Sequence, residues 1–151
     1  MENQPRGVIR NRGRSRQIND FRNLRYKNIT PTDIDGFIEL ENRAYVYFEV
    51  KHRNAKSPYG QKLAFERVAV DHGKAGKPCL IMLLEHDVDD VEKDVDVAAC
   101  LVRKVFVNTD PNPKWRNTVN NMTALELFNF FIEFSKDASP QCGNIERGLL
   151  R

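Results

Sequence analysis

The chain has 151 residues, room for one domain with a substantial core but not for two comfortable ones. Apolar residues make up 40% and charged residues 30%, and the longest apolar run, Cys79 to Leu84, is far too short to cross a bilayer. The net charge of +3 is segregated by sign, with residues 1–29 and 51–77 basic and 85–96 acidic, a pattern that points to a polyanion on one side of the molecule.

Residues 1–15 carry Arg6, Arg10, Arg12 and Arg14 without apolar periodicity and read as a disordered basic arm. No apolar h-region accompanies those arginines, so no secretory signal and a cytoplasmic location are expected. Ile18, Phe21 and Leu24 repeat at i, i+3, i+6, which predicts a short helix over 16–25. Pro31 makes 29–32 a loop.

Two strands follow, 33–41 and 44–52. Ile34, Ile38 and Leu40 alternate with Asp33, Asp35, Glu39 and Glu41 in the first. Val46, Phe48 and Val50 alternate with Glu49 and Lys51 in the second. A shared core for both apolar sets requires even positions opposite even ones. A two-residue turn would pair odd with even, whereas a three-residue loop at 41–43 makes paired numbers sum to 84. That register sets Asp35 opposite Glu49 and Asp33 opposite Lys51. Opposed residues have Cβ atoms about 5 Å apart, so the two carboxylates repel unless a cation or the lysine lies between them.

Ser57-Pro58 reads as N-cap and first helical residue of a helix to His72, with Gly73 as its stop. Residues 79–85 form a buried strand. A long strand is expected over 95–107, marked by Val95, Val97, Ala99, Leu101, Val105 and Val107. The acidic run between them lacks the glycine and final glutamate of a Ca²⁺ loop and reads as solvated. Residues 108–121 form a polar loop in which Trp115 is expected to pack under the last helix rather than stack on a base. Thr123 caps that helix, which runs to Lys136, and 139–151 is a flexible tail. The whole is an α/β domain over 16–138, a mixed β-sheet flanked by helices. Cys79, Cys100 and Cys142 form no CxxC pair and the histidines lack ligand spacing, so reduced thiols and no structural zinc are expected.

With both halves on the polar face of adjoining strands, and the lysine-bearing strand feeding a helix, Asp33/Asp35 and Glu49-Val50-Lys51 resemble the site of the PD-(D/E)XK nuclease superfamily. The resemblance covers residues 16–86 or so. It implies a restriction-endonuclease-like core and hydrolysis of DNA phosphodiester bonds with Mg²⁺ or Mn²⁺, resolvase-like structure-specific cleavage included. Asp35 or Asp33 matches the motif aspartate, and spacing and register favour Asp35. Glu49 matches the second carboxylate, the Val50 carbonyl an additional metal ligand, and Lys51 the lysine that positions a water and offsets transition-state charge. Gln61 resembles a glutamine that some branches carry on the following helix, where its amide can orient a water or touch phosphate. An ordinary buried helix glutamine is the alternative. Two features depart from the pattern: Pro31 stands two residues ahead of Asp33, and Asp20 is the only carboxylate on the expected first helix.

Arg12, Arg14, Arg16, Arg53, Lys56 and Lys62 are expected to grip the nucleic-acid backbone, DNA first and RNA as an open alternative. A domain this small cannot surround a duplex, so a homodimer is expected. The alternative of a different class is a non-catalytic nucleic-acid-binding module. Clustered carboxylates argue against it, because they hinder phosphate binding.

Overall fold

The computed structural model describes residues 13, 16–17, 19–118 and 120–137. The chain divides into two compact units, Met1–Asp33 and Ile34–Arg151. In the first, the helix expected over 16–25 is not formed among the described residues. Asp20 supplies the reason: its carboxylate accepts the Arg22 backbone N–H at 3.0 Å and the Arg22 guanidinium at 2.7 Å, local bonding that competes with a helix. Further along, Tyr26 and Ile29 exchange backbone hydrogen bonds of 2.9 Å around Lys27, whose φ is 54°.

The second unit is α/β. Its five-stranded mixed sheet holds β1 (Gly36–Leu40), β2 (Ala44–His52), β3 (Cys79–His86), β4 (Leu101–Val107) and β5 (Arg116–Asn117) in that spatial order. Helix α1 (Tyr59–Lys74) connects the parallel pair β2 and β3, and α2 (Ala124–Asp137) follows β5. The other neighbours are antiparallel. The hairpin register is the one the alternation demands: Gly36 pairs with Phe48 and Leu40 with Ala44, both summing to 84. Glu41 and Asn42 turn the chain with φ of 52° and 59°. A Cβ at Gly36 would lie 1.9 Å from the Phe48 ring, so any larger residue there has to displace that ring.

Each face of the sheet is covered by a helix. Even-numbered residues of β2 and β3 (Val46, Leu80, Met82, Leu84) pack with Leu127 and Phe131 of α2. Odd-numbered Cys79 and Ile81, with Phe106 of β4, pack against Phe65 and Ala69 of α1, and Tyr45 and Tyr47 flank them. The odd face of β2, polar by its charges, therefore lies under α1 and not in solvent. Trp115 belongs to this layer: its indole donates to Glu66 of α1 at 2.6 Å, so it packs on α1 and not beneath the last helix. Cys79 and Cys100 are buried free thiols, and burial pushes Cys79 up to about 12. Cys142 lies outside the described residues. Among the described residues no helix is long and apolar enough to cross a membrane.

Several element ends differ from expectation, the first being the start of α1, where Pro58 and not Ser57 is the N-cap and no side chain caps the helix. Helix α1 runs through Gly73 to Lys74, and Gly76, with φ of 73°, stops it. The Lys77 N–H bonds the His72 carbonyl and the Gly76 N–H the Gly73 carbonyl, both at 2.9 Å, the paired bonds of a Schellman motif. Nothing lies within 4 Å of a Cβ built at Gly76. Gly76→Ala therefore costs only its left-handed backbone, about 1 kcal/mol, read as a lower denaturation midpoint with unchanged slope. The expected strand 95–107 is broken, because Asp96 caps a 3₁₀ turn at Val97–Ala99 and β4 begins at Leu101. Within β4 the pairing shifts: Leu83 opposes Lys104 and Leu84 opposes Val102, leaving Arg103 as an extra residue. This bulge puts Val102 and Val105 in the same core, so the apolar set is not the odd one. Helix α2 starts as expected, with Thr123 and Glu126 exchanging bonds of 2.7 and 3.3 Å in a capping box.

At the far end of α1, His72 stacks on Tyr45 at 3.9 Å and its Nε2 meets the Tyr47 hydroxyl at 3.0 Å. Burial, and then Lys77, hold the His72 imidazole below its ordinary range, with Asp71 opposing. A base so depressed stabilises the fold above its unfolded value of about 6.5 and loses that contribution as pH falls through the folded value. The thermal midpoint should thus drop on acidification below about pH 6.5, and less steeply in His72→Gln.

Candidate active site

Helix α1 runs antiparallel to β2, since Tyr45 stacks on His72 and the Tyr47 ring lies 6.2 Å from Phe65. Further along β2 on the same face come Glu49 and Lys51, which therefore reach the N-terminal end of α1. Gln61 sits there, one turn ahead of Phe65 on the buried side of the helix. This is the carboxyl end of the parallel pair β2 and β3, the end at which open α/β sheets place ligands.

Glu49 is 2% exposed, and its Oε1 accepts from the Lys51 ammonium at 2.5 Å. Its Oε2 is buried and has no hydrogen-bond partner among the described residues. A buried carboxylate is tolerable when paired and fully hydrogen-bonded, and this one is satisfied on one side only. Lys51 keeps one foot in solvent, with 27% of its side chain exposed.

Asp35 lies one step before the first ladder pair, Gly36–Phe48, and the same register sets it opposite Glu49. Its Oδ2 accepts the Val50 N–H at 2.7 Å. A side chain thus takes over where the backbone ladder has ended, and it fixes the Asp35 carboxylate beside the peptide of Val50. Asp33 is different. It is exposed, belongs to the first unit and lies outside the ladder, so the expected cross-strand pair with Lys51 is not part of the hairpin. On its other side Lys51 is paired in register with Glu85 of β3.

Among the described residues no three His, Cys, Asp or Glu side chains gather into a metal-sized group. The oxygen donors at hand are two carboxylates and the Val50 carbonyl. Such a set suits a hard, hydrated cation and not zinc.

Of the basic residues expected to touch nucleic acid, Arg53, Lys56 and Lys62 line one cleft together with Lys51. Arg16 is exposed on the first unit, and Arg12 and Arg14 lie outside the described residues. The acidic loop is more than a solvated segment: Asp89 holds the Arg53 guanidinium at 2.6 Å and His52 Nε2 at 2.9 Å. Four residues that sequence reasoning passes over line the same cleft: Glu85, Arg103, Lys104 and Asn117. The signal for two of them is the Arg103-Lys104 pair, which interrupts an apolar strand where alternation allows one polar residue at a time. No protein-family model matches the chain, and no curated protein or solved structure is significantly similar to it.

Proposed function

We propose that the chain is a divalent-metal-dependent nuclease that hydrolyses DNA phosphodiester bonds, with Asp35, Glu49, Val50 and Lys51 as its active site. The observation that carries this reading is Glu49, a carboxylate buried to 2% exposure with one oxygen on Lys51 and the other without a partner among the described residues. A structural ion pair gains nothing from an unsatisfied acceptor, which costs about 1–3 kcal/mol. A ligand site retains such an oxygen for what it binds. The hairpin followed by the β2–α1–β3 crossover supports a restriction-endonuclease-like core, and a homodimer acting on duplex DNA belongs to the same proposal.

The Asp35 and Glu49 carboxylates and the Val50 carbonyl would hold Mg²⁺ or Mn²⁺, which takes one or two carboxylates and completes its shell with water and phosphate. Such an ion, when bound, lowers the pKa of a water and polarises a phosphoryl oxygen. The chain does the rest. The Val50 N–H orients Asp35, so the carboxylate needs no rearrangement at the moment of reaction. The Lys51 ammonium, anchored on Glu49 and partly open to solvent, stabilises negative charge developing on the phosphate and holds the attacking water. The layer of α1 over Glu49 keeps bulk water from screening the Glu49–Lys51 pair that positions the ammonium. Gln61, at the same end of α1, offers a neutral donor and acceptor to water or phosphate.

Purified protein incubated with labelled linear, nicked and four-way-junction DNA, with and without Mg²⁺ or Mn²⁺, tests the reading. Cutting is expected only with the ion, and Lys51→Ala should abolish it. Cutting without a divalent ion, or undiminished in Lys51→Ala, overturns the assignment. Tight binding with no cutting in either metal favours the non-catalytic binding module.

A further inference from the structure

Beyond Lys51, the α1 side of the sheet opens into a cleft of about 760 Å³. Its cations are Lys51 and Arg53 from β2 and the residue after it, Lys56 from the following loop, Lys62 from α1, and Arg103 and Lys104 from β4. Among the described residues the one acid in its lining, Glu85, is engaged with the Arg103 guanidinium at 2.5 Å, and Asp89 holds that of Arg53 at 2.6 Å. The bulge in β4 is what turns two successive basic residues toward one cleft. Lys104 then pairs in register with Asn117 of β5, so an ammonium and an amide stand side by side at the cleft's outer wall.

The rest of the lining decides what the cleft takes. The side-chain amides of Asn54, Asn117 and Asn121 add hydrogen-bonding capacity, and Leu83 and Val102 are among its apolar residues. No aromatic ring lines it among the described residues. Single strands are held by bases stacked on aromatic side chains, and that platform is missing, whereas phosphates need only cations and amides. Lys51 and Lys104 stand two strands apart and two residues out of register, about 12 Å, so the two ammonium groups meet separate phosphates of one strand.

We infer that this cleft seats one strand of a nucleic-acid duplex through its phosphates, without reading bases, with Lys62, Lys104 and Asn117 as its grip beyond Lys51. The inference rests on the nuclease reading for what happens to that strand, but not for its binding. Duplex affinity is therefore sequence-independent and steeply salt-dependent, and the strand lies against Lys51 when bound.

Fluorescence anisotropy of the full chain in EDTA, with short labelled duplexes of two unrelated sequences and their separated strands over a range of salt, tests this. The wild type should bind both duplexes alike and more tightly than either strand. Lys62→Ala/Lys104→Ala should weaken both duplexes equally, and the log–log salt slope should fall by about 0.9 for each phosphate that is no longer neutralised. Lys104→Glu, a change at an exposed position, should weaken binding further. Unchanged affinity and slope in these variants, or a preference for single strands, overturns the inference whatever the cleavage result. Absence of cleavage in any divalent metal would instead sink the nuclease reading, and cleavage that persists in Glu49→Gln would remove Glu49 from the active site; either leaves the cleft standing.

Discussion

Glu49→Gln should lower metal-dependent cleavage by about a thousandfold or more while the protein melts no lower than the wild type. A metal acting as Lewis acid contributes several kcal/mol of transition-state stabilisation, and each 1.36 kcal/mol is tenfold in rate. The amide is isosteric with the carboxylate, so its oxygen can still accept from Lys51, but it is a far poorer ligand for a hard cation. Burying a neutral amide costs less than burying a carboxylate with one oxygen unsatisfied, so stability should hold or rise. A merely structural ion pair predicts the reverse: breaking a buried pair costs about 3–5 kcal/mol and touches no chemical step. Initial rates in Mg²⁺ beside a calorimetric melt separate the two. Cleavage within tenfold of wild type together with a large fall in midpoint would sink the catalytic role of Glu49. Glu49→Ala is less informative, because the cavity it opens lowers stability under either account.

The hairpin is legible in the sequence because alternation has a period of two, and one buried face leaves one register in which both apolar sets agree. That single constraint sets Asp35 opposite Glu49 without any knowledge of the fold. The covering of Glu49 is not legible, since a charged position on an alternating strand reads as solvent-facing whether or not a helix lies over it. The apolar residues spread around α1 (Tyr59, Leu63, Phe65, Val68) hint at a second packing face without saying which side of the sheet takes it. The bulge at Arg103 escapes for a related reason: one extra residue exchanges the two faces, and its only mark in the sequence is the pair of adjacent basic residues, Arg103-Lys104, in an apolar strand. Gly73 reads as the helix stop because two glycines three residues apart fit equally well, and the left-handed φ that chooses Gly76 is a property of the fold. The helix expected at 16–25 fails for want of a competitor in the count: periodicity registers Phe21 and Leu24 but not the grip of Asp20 on the Arg22 N–H.

Phe131→Ala should cost about 3–5 kcal/mol, a large share of the roughly 5–15 kcal/mol that holds a domain of this size together. The ring is 1% exposed and sits in the core that α2 shares with β3 and β4. Phe130, its neighbour on the same helix, is 42% exposed. Phe130→Ala deletes the same ring from a partly solvated site and should cost under about 1 kcal/mol, so burial alone accounts for the contrast. Denaturant titration reads both as shifts of midpoint at constant slope. Phe131 and Glu49 lie on opposite faces of the sheet and share no hydrophobic cluster, so their effects should separate. Phe131→Ala should lower the midpoint while cleavage per folded molecule stays near wild type, and Glu49→Gln should do the opposite. In the double variant the stability changes should add to within about 0.5 kcal/mol, as they do for residues without shared partners. A coupling well beyond that would mean that the packing of α2 sets the geometry of β2, and that the two faces of the sheet do not divide stability from chemistry.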